Sequence, residues 1–591
     1  MNHSKKTAEE ATIQAFMNCY LRETRNYEVI AKPDDLKLST FQKLISCQLP
    51  EQSIELIVPV AYWSITDRHL FHFPLYYRAM NGSLNTLDYV TLTSLIVKEL
   101  LIDQNRPDAE DELMMRVILS CQSMKTYIAA RGGDKDRLTD AEFDYIEAEQ
   151  SLLFGHLLHP TPKSKQGLTE EEDRNFSPEL KGEYQLHYFS VHPSLIVEDS
   201  SLSYKANELI KKELKGDPKI DQKWLDQFDD RILLPVHPLQ AGTLIKKEKL
   251  KELMLKGKVD YLGPIGREYT ATSSFRTVYS KGSEYMLKFS VPVKITNSLR
   301  INQQKELDRG VEVSRLLQTE VGKELRDRFS GFEIIEDPAY LNLRVPGFDT
   351  GFEVMIRQNP FYKESKNVSL IAALCQDNAY GEKARIHSII TSIARREGRA
   401  IEEVSLEWFD RYLSLSLDPM LWLHQRYGIA LEAHQQNAVI KMKDGYPSKF
   451  YYRDNQGYYF SESKAAELTR LLPDLNQKSD TICSDEVAIE RFRYYFFLNH
   501  LFGLINAFGV NGLIDEQRLI NQLRERLLAY ASKHHSSLVL SLLEEPVLPC
   551  KANLLTRFYD MDELVGSMAT QSVYTMVNNP IAEEVHVGNG S

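Results

Sequence analysis

The sequence predicts an α+β protein of several domains, and three observations carry that expectation. The chain has 591 residues, more than one hydrophobic core normally organises. Strand-like runs rich in β-branched and aromatic residues fill its middle, between stretches of helical periodicity. Two turn signals, Ser280-Lys281-Gly282-Ser283 and Asp444-Gly445, sit between extended runs and read as hairpins.

Residues 8–155 read as mainly helical, with one strand-like run at 53–63. Within 141–154, Phe143, Ile146, Leu153 and Phe154 fall near one helical face, and Gly155 reads as the stop. The charged stretch 163–181, with Glu170, Glu171, Glu172 and Asp173 in succession, reads as a solvated linker and a domain boundary. Strands are expected at 184–191, 232–236, 270–279 and 285–296, and helices at 306–319 and 385–398. A third, α+β region begins near Ser405 with a hairpin and ends in a helical third. The apolar run 494–510 is broken by Asn499, His500 and Asn506 and reads as a buried helix rather than a membrane span.

The net charge of -12 argues against a nucleic-acid partner, which would need a broad basic face. A few cations converging in one cleft can still hold a small anion. The six cysteines, Cys19, Cys47, Cys121, Cys375, Cys483 and Cys550, show no metal-like spacing and read as reduced and structural, which suits a cytoplasmic protein. The polar first ten residues carry no apolar signal region, so neither secretion nor a membrane anchor is expected. No P-loop, G-x-G-x-x-G, H-E-x-x-H or G-x-S-x-G motif occurs.

Three constellations could carry chemistry. In the first, a turn centred on Lys281-Gly282 sets position 275 opposite 288, so that Ser274, Arg276 and Lys288 meet across the ladder. A guanidinium fork, an ammonium and small hydroxyls can bind phosphates, although the same alternation also fits a strand pair facing water. Lys294, Thr296, Asn297 and Arg300 follow on the returning strand and could hold a carboxylate-rich ligand. In the second, read as a strand, Glu432, His434 and Gln436 share one face, and the Asp444-Gly445 turn brings Asp454 opposite about position 435. Two carboxylates with neutral oxygen donors suit Mg²⁺, whereas His434 alone could be a core histidine. The third is the loop His156-Leu157-Leu158-His159-Pro160-Thr161-Pro162-Lys163-Ser164-Lys165, stiffened by proline; it lacks a third zinc ligand and favours phosphate or substrate contact. Pro235-Val236-His237-Pro238, Arg357-Gln358-Asn359-Pro360 and Lys551-Ala552-Asn553-Leu554 read as turn chemistry, and residues 494–497 as core.

Together these blocks resemble the IucA/IucC family of siderophore synthetases that act independently of nonribosomal peptide synthetases, from about Gly155 to the Lys551 region. The first block departs from the familiar Gly-His-Pro-x-His-Pro form, with Leu157 where proline is common. The resemblance implies a cupped thumb, fingers and palm architecture, here residues 1–165, 166–400 and 401–591, and a homodimer. It implies that His159, Lys163, Ser274, Arg276, Thr277 and Lys288 contact ATP, with Gln436 and Asp454 beside the nucleotide and Glu432 and Asp454 holding Mg²⁺. Ser274, Thr296, Asn297, Arg300 and His434 would face the acid, and Arg276, Lys288, Arg300 and His434 would carry catalysis. The implied reaction adenylates citrate, releases pyrophosphate and passes the acyl group to an amine such as spermidine or a hydroxamate-type diamine. A Mg-ATP phosphotransferase and a non-catalytic nucleotide- or siderophore-binding protein are the alternatives.

Overall fold

The computed structural model describes residues 3–38, 40–79, 82–104, 110–296, 298–348, 350–381, 383–559 and 573–582. It is a mixed helix and sheet protein with several antiparallel and mixed sheets. The expectation of a mainly helical stretch over 8–155 is corrected. Between the helix His3–Thr24 and the pair Tyr89–Gln104 and Glu110–Ala130 lies a six-stranded antiparallel sheet. Its strand Ile54–Tyr62 is the one the sequence announced; Lys43–Leu49 was hidden because four consecutive residues are buried, which erases the alternation of a half-exposed strand. Phe16, Val58, Ile96 and Val117 close this core together with Leu554 and Phe558 from the far end of the chain. The contact is fixed by Glu23, whose carboxylate accepts from the Leu554 and Leu555 N–H groups at 2.9 Å and so caps the helix Asn553–Phe558. Burial, partly offset by these hydrogen bonds, pushes the Glu23 carboxyl up to about 7.

Two further expectations change. The helix over 141–154 shrinks to Tyr145–Glu149, with Glu147 accepting from the Asp144 N–H at 2.9 Å, and Gly155 (φ 81) turns a loop well beyond it. Residues 163–181 are no solvated linker. Lys163 and Ser164 are buried, Lys165–Gln166 pairs with Lys294–Ile295, and Thr169 caps the helix Glu170–Phe176 that absorbs the acidic run.

The middle of the chain forms an eight-stranded antiparallel sheet in the order Ile232–Val236, Glu183–Val191, Val259–Ala271, Thr277–Tyr279, Tyr285–Phe289, Val354–Gln358, Ala339–Leu343 and Ile196–Ser200. The strand expected at 270–279 is broken at 272–276 by a tight turn, and the one expected at 285–296 ends at Phe289. The helices Gln304–Leu317 and Arg385–Glu397 stand where periodicity placed them.

The third region starts with the long helix Ile401–Tyr427 rather than a hairpin, and Gly428 (φ 65) ends it, its N–H bonded to the His424 carbonyl at 2.8 Å. The hairpin Ala438–Lys443/Tyr446–Arg453 follows, with φ of 53° at Asp444 and 80° at Gly445, as a type I′ turn requires. Its second strand pairs in parallel with Phe332–Ile335, and its first with Val368–Leu370, so this sheet draws strands from both sides of residue 400. The run expected as a buried helix is buried: Arg493–Leu501 is π-helical and continues into Phe502–Val510. No helix among the described residues is long and apolar enough to cross a membrane. All six cysteines are free, five of them buried.

Candidate active site

The turn after Val259–Ala271 is built by its own polar atoms. Thr272 N–H meets the Thr277 carbonyl at 2.8 Å, Phe275 N–H the Thr272 carbonyl at 2.9 Å, and Thr277 N–H the Ser274 hydroxyl at 3.2 Å. Phe275 sits at φ 68, a strained conformation for a bulky residue that costs on the order of 1–3 kcal/mol. Burial of its ring to 1% exposure, stacked on His237, holds it there. Ser274 and Arg276, on either side of Phe275, line a cavity together with it.

Across the ladder Thr277 pairs with Lys288, not residue 275, because the chain between Tyr279 and Tyr285 spans more than a two-residue turn. The slip of two residues preserves parity among the residues that remain paired, so Thr277 and Lys288 share a face, while the turn at 272–276 breaks the alternation before them. In the second block, correction is needed: Ile429–Leu431 is the strand, and 432–437 is an irregular turn in which Ala433 N–H reaches the Leu431 carbonyl and Asn437 N–H the His434 carbonyl. Glu432, His434 and Gln436 therefore do not share a strand face, yet they reach the same cavity.

That cavity, of about 260 Å³, is lined by His159, Lys163, Ser274, Arg276, Thr277, Lys288, Thr296, Arg300, Glu432, His434, Gln436 and Asp454. Lys294, offered with Thr296 and Arg300 as a carboxylate ligand, is not among the lining residues, and Asn297 lies outside the described residues. Eight cations (Lys163, Lys165, Arg276, Lys288, Arg300, Arg357, Arg453, Lys551) face three carboxylates (Glu179, Glu432, Asp454), so this cleft of an acidic protein attracts anions. Sequence reasoning missed Glu149 and Asn302 and set aside Arg357, Lys551, Asn553, Tyr494 and Tyr495, all five of which line the cavity, as does Lys165 of the loop read as a phosphate or substrate contact.

Two ionic contacts tie the hairpins together. Lys288 Nζ lies 3.3 Å from Asp454 Oδ1 and also donates to Asn455. Glu149, fully buried, takes Arg453 at 2.5 Å and 3.1 Å and the Ser273 N–H at 2.9 Å, so one carboxylate holds both the phosphate-side turn and the strand that ends at Asp454. Tyr145 adds its hydroxyl to Arg453 at 2.6 Å. Arg276 donates to Asn302 at 2.9 Å, and Arg357 forms a bidentate pair with Asp337 at 2.7 and 2.8 Å.

Electrostatics follow from burial. Burial, opposed by Asp454, lowers Lys288 to about 8. Burial alone would raise Asp454, but Lys288 and Arg357 hold it far below the usual carboxylate range. For Glu432, burial, then the Asp454 charge, outweigh the opposing charge of Lys551 and raise it to about 7, and Tyr459 OH donates to it at 3.2 Å. Burial, then His156, lower His434 to about 3, so its imidazole is neutral near pH 7; its Nδ1 accepts from Gln436 N–H at 3.2 Å, which leaves Nε2–H directed toward Glu432, 4.0 Å away. Burial lowers Lys163 against Glu179 at 2.5 Å, while Glu179, though buried, is held to about 2 by Lys163 and Lys165. His159 accepts from Thr161 N–H on Nδ1 at 3.0 Å. Thr296 (φ 50) offers its carbonyl to Arg116 at 2.7 Å and its hydroxyl to Arg300 at 3.3 Å. The buried Thr277 hydroxyl has no protein partner among the described residues, a vacancy that a ligand oxygen would fill.

No group of three or more metal-binding side chains occurs among the described residues. The carboxylate pair Glu432 and Asp454 nevertheless fits Mg²⁺, which is commonly held by one or two carboxylates and completes its shell with phosphate oxygens and water. They flank Gly457, where a Cβ would stand 2.3 Å from Glu432 Cβ and 3.1 Å from Asp454 Oδ2. Their mutual repulsion, visible in the raised Glu432, is what a divalent cation would relieve.

Comparison with known proteins fits this geometry. The model described as the IucA / IucC family matches residues 144–376, and one described as a ferric iron reductase FhuF-like transporter matches 406–566. The chain is 46% identical to spermidine-citrate ligase of Bacillus anthracis, over 99% of this chain and 100% of that one. It is 35% identical to the rhizobactin siderophore biosynthesis protein RhbC of Rhizobium meliloti (strain 1021), over 98% of each. The ATP-bound structure of aerobactin synthetase IucA from a hypervirulent Klebsiella pneumoniae superposes with a TM-score of 0.89 at 27% identity, over 97% of this chain and 100% of that one. The chain belongs to the IucA/IucC family of siderophore synthetases.

Proposed function

We propose that this protein is an ATP-dependent ligase that activates a carboxylate of citrate as its adenylate and condenses it with an amine, spermidine being the favoured acceptor. The observation that carries the reading is the single cavity in which Arg276 and Lys288 of one hairpin meet Asp454 of the other. The 46% identity to a spermidine-citrate ligase over nearly the whole chain supports the choice of substrates.

In this reading a citrate oxygen attacks the α-phosphorus of ATP, an acyl–O–P bond forms, and the bond to pyrophosphate breaks. Arg276, Lys288 and the Thr277 hydroxyl take the phosphate oxygens, with His159, Lys163 and Ser274 alongside and Gln436 beside the nucleotide. Their fixed placement supplies orientation as well as charge. Arg300 and Thr296, with the neutral Nε2–H of His434, hold the remaining citrate carboxylates. Glu432 and Asp454 would hold Mg²⁺, which offsets phosphate charge when bound. The amine nitrogen then attacks the acyl carbon, the C–O bond to AMP breaks, and the amine proton leaves to solvent. A cytoplasmic location accords with the free cysteines, and a homodimer with the family resemblance.

The test incubates the protein with Mg-ATP, citrate and spermidine. Citrate-dependent pyrophosphate and AMP, with a citryl–spermidine amide by mass spectrometry, is the expected result; ADP in place of AMP would refute it.

A further inference from the structure

A second cavity, of about 380 Å³, lies against the first, and Gly155, His156 and Pro162 line both. The backbone at Gly155 runs close to its neighbours: a Cβ there would sit 3.0 Å from the Pro162 carbonyl and 3.1 Å from Lys163 Cε. His156 is pinned beside it, its Nδ1 accepting from Leu158 N–H at 3.2 Å and its Nε2 2.9 Å from the Asn499 amide nitrogen.

The two cavities differ in chemistry. The reaction cavity is rich in cations, whereas the second has one wall of Phe71, Phe73, Phe154 and Met124 and another that carries Glu10 and Asp377. Its charged lining residues are Glu10, Asp377, Arg68 and Lys383, and Arg68 is already engaged by Asp377 and by Asn506 at 2.8 Å. Glu10 remains partly exposed, 3.7 Å from Lys6. Aromatic and apolar faces suit methylene spacers and ammonium groups, and carboxylates suit the ammonium alone.

We infer that this second cavity binds the hydrocarbon chain and distal ammonium of a linear aliphatic amine, whose reacting amino group enters the reaction cavity past His156. The inference rests on the ligase reading and adds the acceptor's own site to it.

Activation of citrate needs no amine, which separates the two ideas experimentally. Ala15, on the helix His3–Thr24, lines only the second cavity, and Ala15→Trp would fill it. Citrate-dependent ATP–pyrophosphate exchange should stay within about twofold of the unsubstituted protein, while KM for spermidine rises about tenfold or more. Glu10→Gln, at a partly exposed position that leaves folding intact, should raise KM for spermidine severalfold and that for a monoamine of equal length less. Calorimetric binding of spermidine to the full chain should weaken in parallel in both variants. Unchanged spermidine KM and binding in both variants would overturn the inference while leaving the ligase reading standing. Absence of citrate-dependent exchange in the unsubstituted protein would instead remove the ligase reading, and binding of spermidine unaffected by either variant would then remove the inference as well.

Discussion

Replacing Glu149 with glutamine should cost both stability and catalysis, although the residue lies outside every motif that announced the site. Its carboxylate is fully buried against Arg453, with a contact of 2.5 Å, and takes the Ser273 N–H at 2.9 Å. Glutamine keeps an oxygen for Ser273 but leaves the Arg453 guanidinium buried without its counter-charge. Removing one partner of a buried ion pair costs about 3–5 kcal/mol. The Tyr145 hydroxyl and the Gln436 carbonyl stay as neutral acceptors, which argues for the lower end, about 3 kcal/mol. For a cooperative unit of about 150–250 residues that lowers Tm by about 6–12 °C, readable by calorimetry. Because Arg453 precedes Asp454 and Ser273 precedes Ser274, the two hairpins should also lose relative position. KM for ATP should then rise about tenfold with a smaller fall in kcat, and Glu149→Ala should exceed both effects. A variant that melts within about 2 °C of the unsubstituted protein with unchanged KM for ATP would refute the account.

Arg276→Ala and Lys288→Ala should each lower citrate-dependent pyrophosphate release on the order of 10²-fold, and near-normal release in both would remove their assigned roles. Arg300→Ala should raise KM for citrate more than KM for ATP, as steady-state kinetics would show; the reverse pattern would move Arg300 to the nucleotide. Glu23 gives a prediction in pH: its carboxyl is raised to about 7, so the folded protein keeps a proton that the unfolded chain has lost. That contribution is complete below the ordinary carboxylate range and disappears as pH rises through about 7, so the Tm advantage of the unsubstituted protein over Glu23→Gln should be larger at about pH 5 than at about pH 8. A constant difference would refute it.

The site was more legible in the sequence than the fold around it. Hairpin turns, cationic side chains and the Glu432 to Asp454 block are local patterns, and a register error of two residues preserves parity, so Thr277 and Lys288 still share a face. Burial on both faces hid the strand Lys43–Leu49, and the turn at 272–276 was invisible because it uses phenylalanine at a positive φ where glycine would have signalled it. Glu149 escaped for another reason: it acts through partners distant in sequence, Ser273 and Arg453, and nothing in its neighbours marks it. The alternation Glu432, His434, Gln436 read as a strand, but pairing stops at Leu431, where Tyr458 supplies the last partner.

The bond from Glu23 to the amides of Leu554 and Leu555 bears on when the enzyme comes alive during synthesis. Lys551 and Asn553, which wall the cavity, adjoin a helix that is held to a segment more than 500 residues earlier in the chain. A nascent chain that has not reached Lys551 therefore lacks two of the residues that line the pocket, however well its middle has folded.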